Sequence, residues 1–353
     1  MIRFVWRQFR VQSILALAIL VVVAAVAAVT GPHLAHLYDT NVANCGNHGD
    51  CAGATSAFLR NDSTIRTWLG ILIVVSPGII GIFWGAPLVA RELEAGTHRL
   101  VWTQSVTRTR WLVTKLGVIG LASVIMVGLL SLIVTWWANP LDGATANIFG
   151  AFDERNIVPI GYVAFAFVLG ASAGVIIRRT VPAMASTLVA FVAVRLSFDR
   201  LLRPHLVSPM IHDLALKPGS MGFGSANGGP FTLMPNTPNI SNAWINSTQI
   251  LDKANHALTS HFVVLACPRL IAGVQSGGPS TRSSQGSRIR VTTSAQKAFQ
   301  DCVSKVGRTY REVVTFQPAN HYWLLQWFEL TLYIATAVIM ASFCFWWVRR
   351  RLS

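Results

Sequence analysis

Residues 91–115 read RELEAGTHRLVWTQSVTRTRWLVTK, a charged stretch held between two long apolar runs. From Trp68 to Ala90 and from Trp111 to Trp137 there is no acidic residue, and the only basic one is Lys115. Each run is long enough to cross a hydrocarbon core of about 30 Å as a helix. Between them, and just into the second, stand Arg91, Arg99, Arg108, Arg110 and Lys115 against Glu92 and Glu94. A basic excess in a short loop between spans marks the cytoplasmic side of a membrane. The stretch therefore reads as a cytoplasmic handle between a second and a third span. Within it, Gly96 can end a helix, Thr97 can cap a short one over 98–104, and Thr107 can cap the third span from Arg108. A short hinged helix in that place suits docking to a soluble partner. An ordinary solvated loop is the plainer reading of the same residues.

The rest of the chain agrees with a membrane setting. Of 353 residues, 52% are hydrophobic and only 12% charged, too apolar a balance for an ordinary soluble domain. Apolar runs predict six spans, over about 11–30, 68–90, 111–137, 157–177, 181–198 and 324–348. Arg3, Arg7 and Arg10 precede the first, the handle follows the second, Arg178 and Arg179 join the fourth to the fifth, and Arg349 to Arg351 follow the sixth. With six alternating spans all four sites fall on one side, which predicts both termini in the cytoplasm. The opposite short loops carry more acid than base. The net charge of +15 is largely this topogenic arginine without a compact basic stripe, so nucleic acid is not an expected partner.

Residues 1–10 place Arg3, Arg7 and Arg10 on one helical face and Ile2, Val5, Trp6 and Phe9 on the other, which predicts an interfacial helix before the first span. A cleaved signal peptide is the rival reading, disfavoured because the apolar run after it is longer than a signal core. Between 199 and 323 lies a stretch too long for a connection, hence a predicted extracytoplasmic domain. It divides the chain into a first membrane part (1–198, with the coupling loop at 91–110), this domain (199–323), and a last span with a basic tail (324–353). Two helices are expected in the domain, near 252–265 and 293–306.

Four of the five cysteines, Cys45, Cys51, Cys267 and Cys302, fall in the two segments assigned outside, where disulfides persist. Pairing Cys45 with Cys51 and Cys267 with Cys302 is the simplest scheme. A metal held by Cys45, His48 and Cys51 is the rival, with too few ligands for a closed site. Two ionisable residues lie within spans near their outer ends, Arg195 and Glu329. Charge inside a membrane is by default a functional feature, here a pair at the outer mouth of a path, although an arginine there can also snorkel to the interface. Ser76-Pro77-Gly78 predicts a kink in the second span. No catalytic set and no P-loop pattern occurs, so ATP hydrolysis is not expected of this chain.

The run E-x-G-T-x-R, followed by Gln-Ser-Val-Thr-Arg and then Lys115, resembles the loop between helices two and three of ABC-2 type permeases, the membrane subunits of bacterial ABC exporters. The resemblance covers the N-terminal helix, the spans and the handle, but not the large domain. It implies that Glu94, Gly96, Thr97, Arg99, Gln104, Thr107, Arg108 and Lys115 couple the chain to an ATPase. The proline commoner in the motif is absent, with Gln104-Ser105 in its place. Membership of the family would imply an all-α polytopic permease of the plasma membrane with no cofactor or metal of its own. ATP and Mg would sit in a separate ATP-binding cassette subunit, beside a second permease copy, identical or homologous, and an exported substrate whose chemistry the sequence does not specify. A secondary transporter is a different reading, but inverted repeats and broken polar helices at mid-membrane are not evident. A non-transporting membrane protein with a ligand-binding or envelope-assembly domain is a third.

Overall fold

The computed structural model describes residues 2–45, 51–96, 107–216, 221–224, 232–236, 238, 240–257 and 293–351. Among them, six helical segments are long and apolar enough to cross a membrane: Phe9–Ala43, Ser63–Glu94, Thr109–Thr145, Ile148–Ile177, Thr180–Leu206 and Ala319–Arg350. The chain divides into two compact units, Met1–Val207 with Ala319–Ser353, and Ser208–Pro318.

In the first unit, α1 (Ile2–Tyr38) is one continuous helix. The expected interfacial helix is not separate from it: no glycine or proline interrupts residues 2–30, so nothing breaks the helix at position 10. After α2 (Cys51–Asn61), the second span is built from α3 (Ser63–Ile80), a π-helical turn at Gly81–Gly85, and α4 (Ala86–Glu94). The expected kink at Pro77 takes a different form. Pro77 sits inside α3 and cannot donate to the carbonyl of Ile73, but the Ser76 hydroxyl donates to that oxygen at 3.0 Å. With the orphan acceptor satisfied, the helix continues to Ile80, and the irregularity lies beyond it.

The third span is α5 (Arg108–Thr145), and a 3-10 segment at Ile148–Glu154 leads into α6 (Val158–Ile177). Next come α7 (Thr180–Ser197), a π turn at Phe198–Leu202 and α8 (Arg203–Leu206). The last span, α10 (Tyr322–Arg351), ends the described chain. Helix α6 is the hub, packing on α3, α4, α5, α7 and α10. Small residues permit this close approach. A side chain at Gly170 would overlap the carbonyl oxygen of Gly81, so the π turn of the second span lies directly on the backbone of α6.

Two apolar cores divide the membrane unit along its length. One gathers Phe9, Leu88, Val89, Trp111, Leu112, Val175 and Val348, where α1 and α5 begin and α4, α6 and α10 end. The other gathers Ala27, Leu34, Phe58, Leu69, Ile73, Val134, Trp137 and Leu141. The ends of the spans thus alternate: Glu94, Thr107 and Thr180 belong to a handle end, and Ser63, Glu154 and Tyr322 to a distal end.

The second unit corrects the expectation of an all-α fold. Strands β1 (Met210–Ala215), β4 (Trp244–Asp252) and β5 (Tyr310–Gln317) form an antiparallel sheet with β5 in the middle, and β2 (Met221–Gly224) pairs with β3 (Thr232–Pro235). Residue 252 ends a strand rather than starting a helix. Its carboxylate accepts from the backbone N–H of Ala254 and His256, both at 2.8 Å, which makes a turn. Residues 258–265 lie outside the described residues. The helix expected near 293–306 is present as α9 (Thr293–Val306), with Cys302, Val303 and Val306 buried.

Candidate functional site

Three helix ends are joined at the base of the handle. Lys115, only 1% exposed, ion-pairs with the carboxylate of Glu92, donates to the carbonyl of Leu88 at 3.4 Å, and lies 5.0 Å from the ring of Trp111. A buried ammonium requires such partners, since an unpaired one is costly. The pair fixes the start of α5 to the end of α4. Glu94, the last residue of α4, reaches the start of α7, where its carboxylate accepts from the backbone N–H of Thr180 at 2.9 Å and from its hydroxyl at 2.7 Å. The first N–H groups of a helix have no intrahelical acceptor, and an anion there also meets the positive end of the helix dipole. The preceding turn is tight. Arg178 adopts a left-handed conformation (φ 59°) and Arg179 an extended one, so α7 starts immediately after α6 and within reach of Glu94.

Of the residues carried over as a coupling set, Gly96 ends α4 with φ +68°, a conformation that suits glycine and little else. The Thr107 hydroxyl accepts from the N–H of Arg110 at 3.3 Å, a helix cap, and Arg108 begins α5. Lys115 faces inward, so its place is in the stem rather than on a docking surface. Thr97, Arg99 and Gln104 lie outside the described residues.

A second polar centre occupies the distal end. Glu329 of α10 is fully buried and is gripped from two sides by the Arg203 guanidinium, Nε to Oε2 at 3.0 Å and Nη2 to Oε1 at 2.9 Å. Such fork-like pairing is the strongest arrangement open to a carboxylate and an arginine. Arg203 also pairs with Asp153 of the 3-10 segment and with Asp199 of the π turn. The hydroxyl of Tyr162 lies 2.5 Å from Glu329 Oε1 and 2.8 Å from Asp153 Oδ1. The expected partners Arg195 and Glu329 approach to 3.5 Å, while Arg195 also lies 3.4 Å from Asp153 and stacks 3.6 Å from the Tyr162 ring centroid. Two guanidinium groups thus meet three carboxylates, and the set joins the entry to α6, the end of the fifth span and α10. Beside it, Gln326 accepts from the N–H of Val158 at 3.1 Å and donates to the carbonyl of Phe152 at 3.2 Å, which fixes the start of α6 to α10.

Cys45 and Cys51 are joined in a disulfide, which uses both sulfurs of the alternative metal set. Cys302 is also disulfide-bonded, and Cys267 lies outside the described residues. Cys344 is a buried free thiol 3.1 Å from the Ser172 hydroxyl. Among the described residues no group of three or more His, Cys, Asp or Glu is placed to hold a metal ion.

A family described as "ABC-2 membrane transporter related" matches residues 17–203, more than half of the chain. The chain belongs to this family. The matched ABC-2 region takes in the first span from residue 17, the second to fourth spans and the fifth as far as Arg203, with the handle and its stem, Asp153, Tyr162 and Arg195, and leaves out Glu329 and the whole second unit. ABC-2 permeases are membrane components that work with an ATP-binding subunit, so this multi-pass helical unit is a transporter permease. No curated protein and no solved structure matches the chain.

Proposed function

We propose that this ABC-2 permease is driven by a separate ATP-binding subunit that docks on the handle at 91–110, and that it exports a substrate. The observation that supports the reading most is the stem. The Lys115–Glu92 pair and the Glu94 cap on Thr180 join the ends of α4, α5 and α7 beneath the loop. A displacement applied to the handle is then felt by three helices together, which is what a coupling element requires. Gly96 supplies the hinge, Arg99 and Arg108 the basic docking surface, and Glu94 the transmission into the fifth span. ATP and Mg belong to the partner, and this chain supplies the path. A second permease copy, identical or homologous, would present a second handle to a second ATPase. The Arg203 network, with Arg195 and Glu329, stands at the outer mouth and holds it shut between cycles.

Reversing the charge of Arg99 tests docking. Arg99→Glu is expected to leave membrane insertion unchanged, because a solvated surface change costs within about 0.5 kcal/mol. Recovery of the ATPase with the purified permease should nevertheless fall about tenfold, since a carboxylate placed against an acidic docking surface sets like charges together at a desolvated contact, which costs more than about 1 kcal/mol. Full ATPase recovery and turnover would leave the handle as an ordinary loop.

The orientation proposed is a plasma-membrane protein with both termini and the handle in the cytoplasm and the second unit outside, following the arginine distribution. Single cysteines introduced at positions 99 and 350 should react with a membrane-impermeant thiol reagent only after permeabilisation. One at position 227 should react in intact cells. Labelling of 99 and 227 from the same side would exclude this topology.

A further inference from the structure

A cavity of about 360 Å³ opens at the distal end of the second span, between α3 and the 3-10 segment at Ile148–Glu154. Its polar lip holds one cation, Arg66, and one anion, Glu154. Neither side chain makes a direct ion pair or hydrogen bond among the described residues, although both are half-buried and the two lie near enough to attract each other across the cavity. The contrast with Asp153, one position earlier and bound by two arginines, is sharp. Gly70 makes the room: a Cβ there would come within 2.7 Å of the Glu154 carboxylate, so the missing side chain lets the acid lie against α3. Below the lip, Ile71, Val74 and Val75 continue the wall at helical spacing, and each remains 42–47% exposed.

We infer that this cavity binds a bilayer phospholipid with a zwitterionic headgroup of the phosphate-plus-ammonium kind. Charge complementarity carries the assignment. The Arg66 guanidinium matches a phosphate and the Glu154 carboxylate matches a primary ammonium. The two-carbon ethanolamine bridge keeps these groups close enough to address both walls of one small cavity. The apolar stripe selects a lipid over a soluble zwitterion, because an acyl chain can lie along Ile71, Val74 and Val75 while the headgroup stays at the lip. An anionic lipid lacking the amine would satisfy Arg66 but face Glu154 uncompensated, so it is disfavoured. The bound lipid would bridge the second span and the segment that carries Asp153. This inference does not depend on ATPase coupling.

The test is native mass spectrometry of the purified full-length chain incubated with an equimolar mixture of phosphatidylethanolamine and phosphatidylglycerol of identical acyl chains. The unaltered protein should retain phosphatidylethanolamine about tenfold over phosphatidylglycerol. Arg66→Gln should lower retention of both lipids. Glu154→Gln, nearly isosteric and placed in a half-buried site, should abolish the preference while keeping total retention. Gly70→Ala should move the carboxylate without removing its charge, and weaken the preference only. Unfolding midpoints matched to the unaltered protein establish that each variant is folded. Absence of retained lipid on the unaltered chain, or an unchanged lipid ratio in Glu154→Gln, would overturn the assignment.

Discussion

Replacing Arg203 by alanine is expected to lower the stability of the membrane unit by about 3–5 kcal/mol, the usual cost of leaving a buried charge without its partner. The stranded group is Glu329, fully buried on α10. It would lose both arms of the guanidinium fork and keep the Tyr162 hydroxyl and the more distant Arg195 at 3.5 Å. Asp153 would lose the same partner. Arg195→Ala should cost less, because its contacts with the two acids are 3.4 and 3.5 Å and its removal leaves the fork intact. Removing both charges of the fork, as in Arg203→Met with Glu329→Leu, should recover part of the loss, since an apolar pair carries no desolvation cost. The measurement is denaturant-induced unfolding in mixed micelles for these variants, the single changes Arg203→Met and Glu329→Leu, and the parent. A loss below about 1 kcal/mol for Arg203→Ala, or strict additivity in the double change, would show that the fork does not hold Glu329 in place.

How much of this centre is readable from sequence depends on the kind of residue. Arg195 and Glu329 stand out because a charge inside an apolar run has no ordinary explanation. Arg203 does not, since hydropathy ends the fifth span at Phe198. The chain in fact continues as helix through the π turn Phe198–Leu202, which brings Arg203 back toward α10. The apolar pair Leu201-Leu202 just before it is the signal available. Asp153 reads as a loop acid, but the 3-10 segment folds against α6 and carries it inward. Tyr162 gives no signal, as a tyrosine in a span is usually an interfacial anchor. Contacts such as Arg203 with Glu329 join positions 126 residues apart, and no local pattern encodes them.

The spans themselves are legible, because each is a long apolar run in a chain with few charges. So are the ends of the handle, where Gly96 and Thr107 are helix-stop and helix-start residues by their own chemistry. The strands are not. In β5, Tyr310–Gln317, polar and apolar residues alternate only in part, and the turn-rich residues around β2 and β3 conceal the pairing. Lys115 belongs to the expected loop but turns to the opposite face from the one a docking role needs. Helical spacing places it one turn after Trp111, and only the packing of α4 against α5 shows that it points at Glu92.

Glu94 allows docking to be separated from transmission. Glu94→Ala is expected to leave the ATPase bound within about twofold of the parent while transport falls about tenfold, a coupling loss of about 1.4 kcal/mol. Its carboxylate is spent on Thr180, where it caps α7 through the backbone N–H and the hydroxyl. Losing a cap costs about 0.5–2 kcal/mol, tolerable for a folded unit but sufficient to let the start of α7 move independently of α4. Glu94→Gln keeps an acceptor and loses the charge that favours a helix N-terminus, so it should fall between the parent and Glu94→Ala. Thr180→Val removes the hydroxyl and retains the N–H, so it should produce a partial loss, and combining it with Glu94→Ala should add little. ATPase recovery and ATP turnover per molecule of transported substrate, measured in the same vesicles, separate the outcomes. High turnover with little transport identifies Glu94 as the strut between the handle and the fifth span. A parallel loss of ATPase recovery and transport would instead place Glu94 on the docking surface, and the strut would have to lie in Lys115 and Glu92.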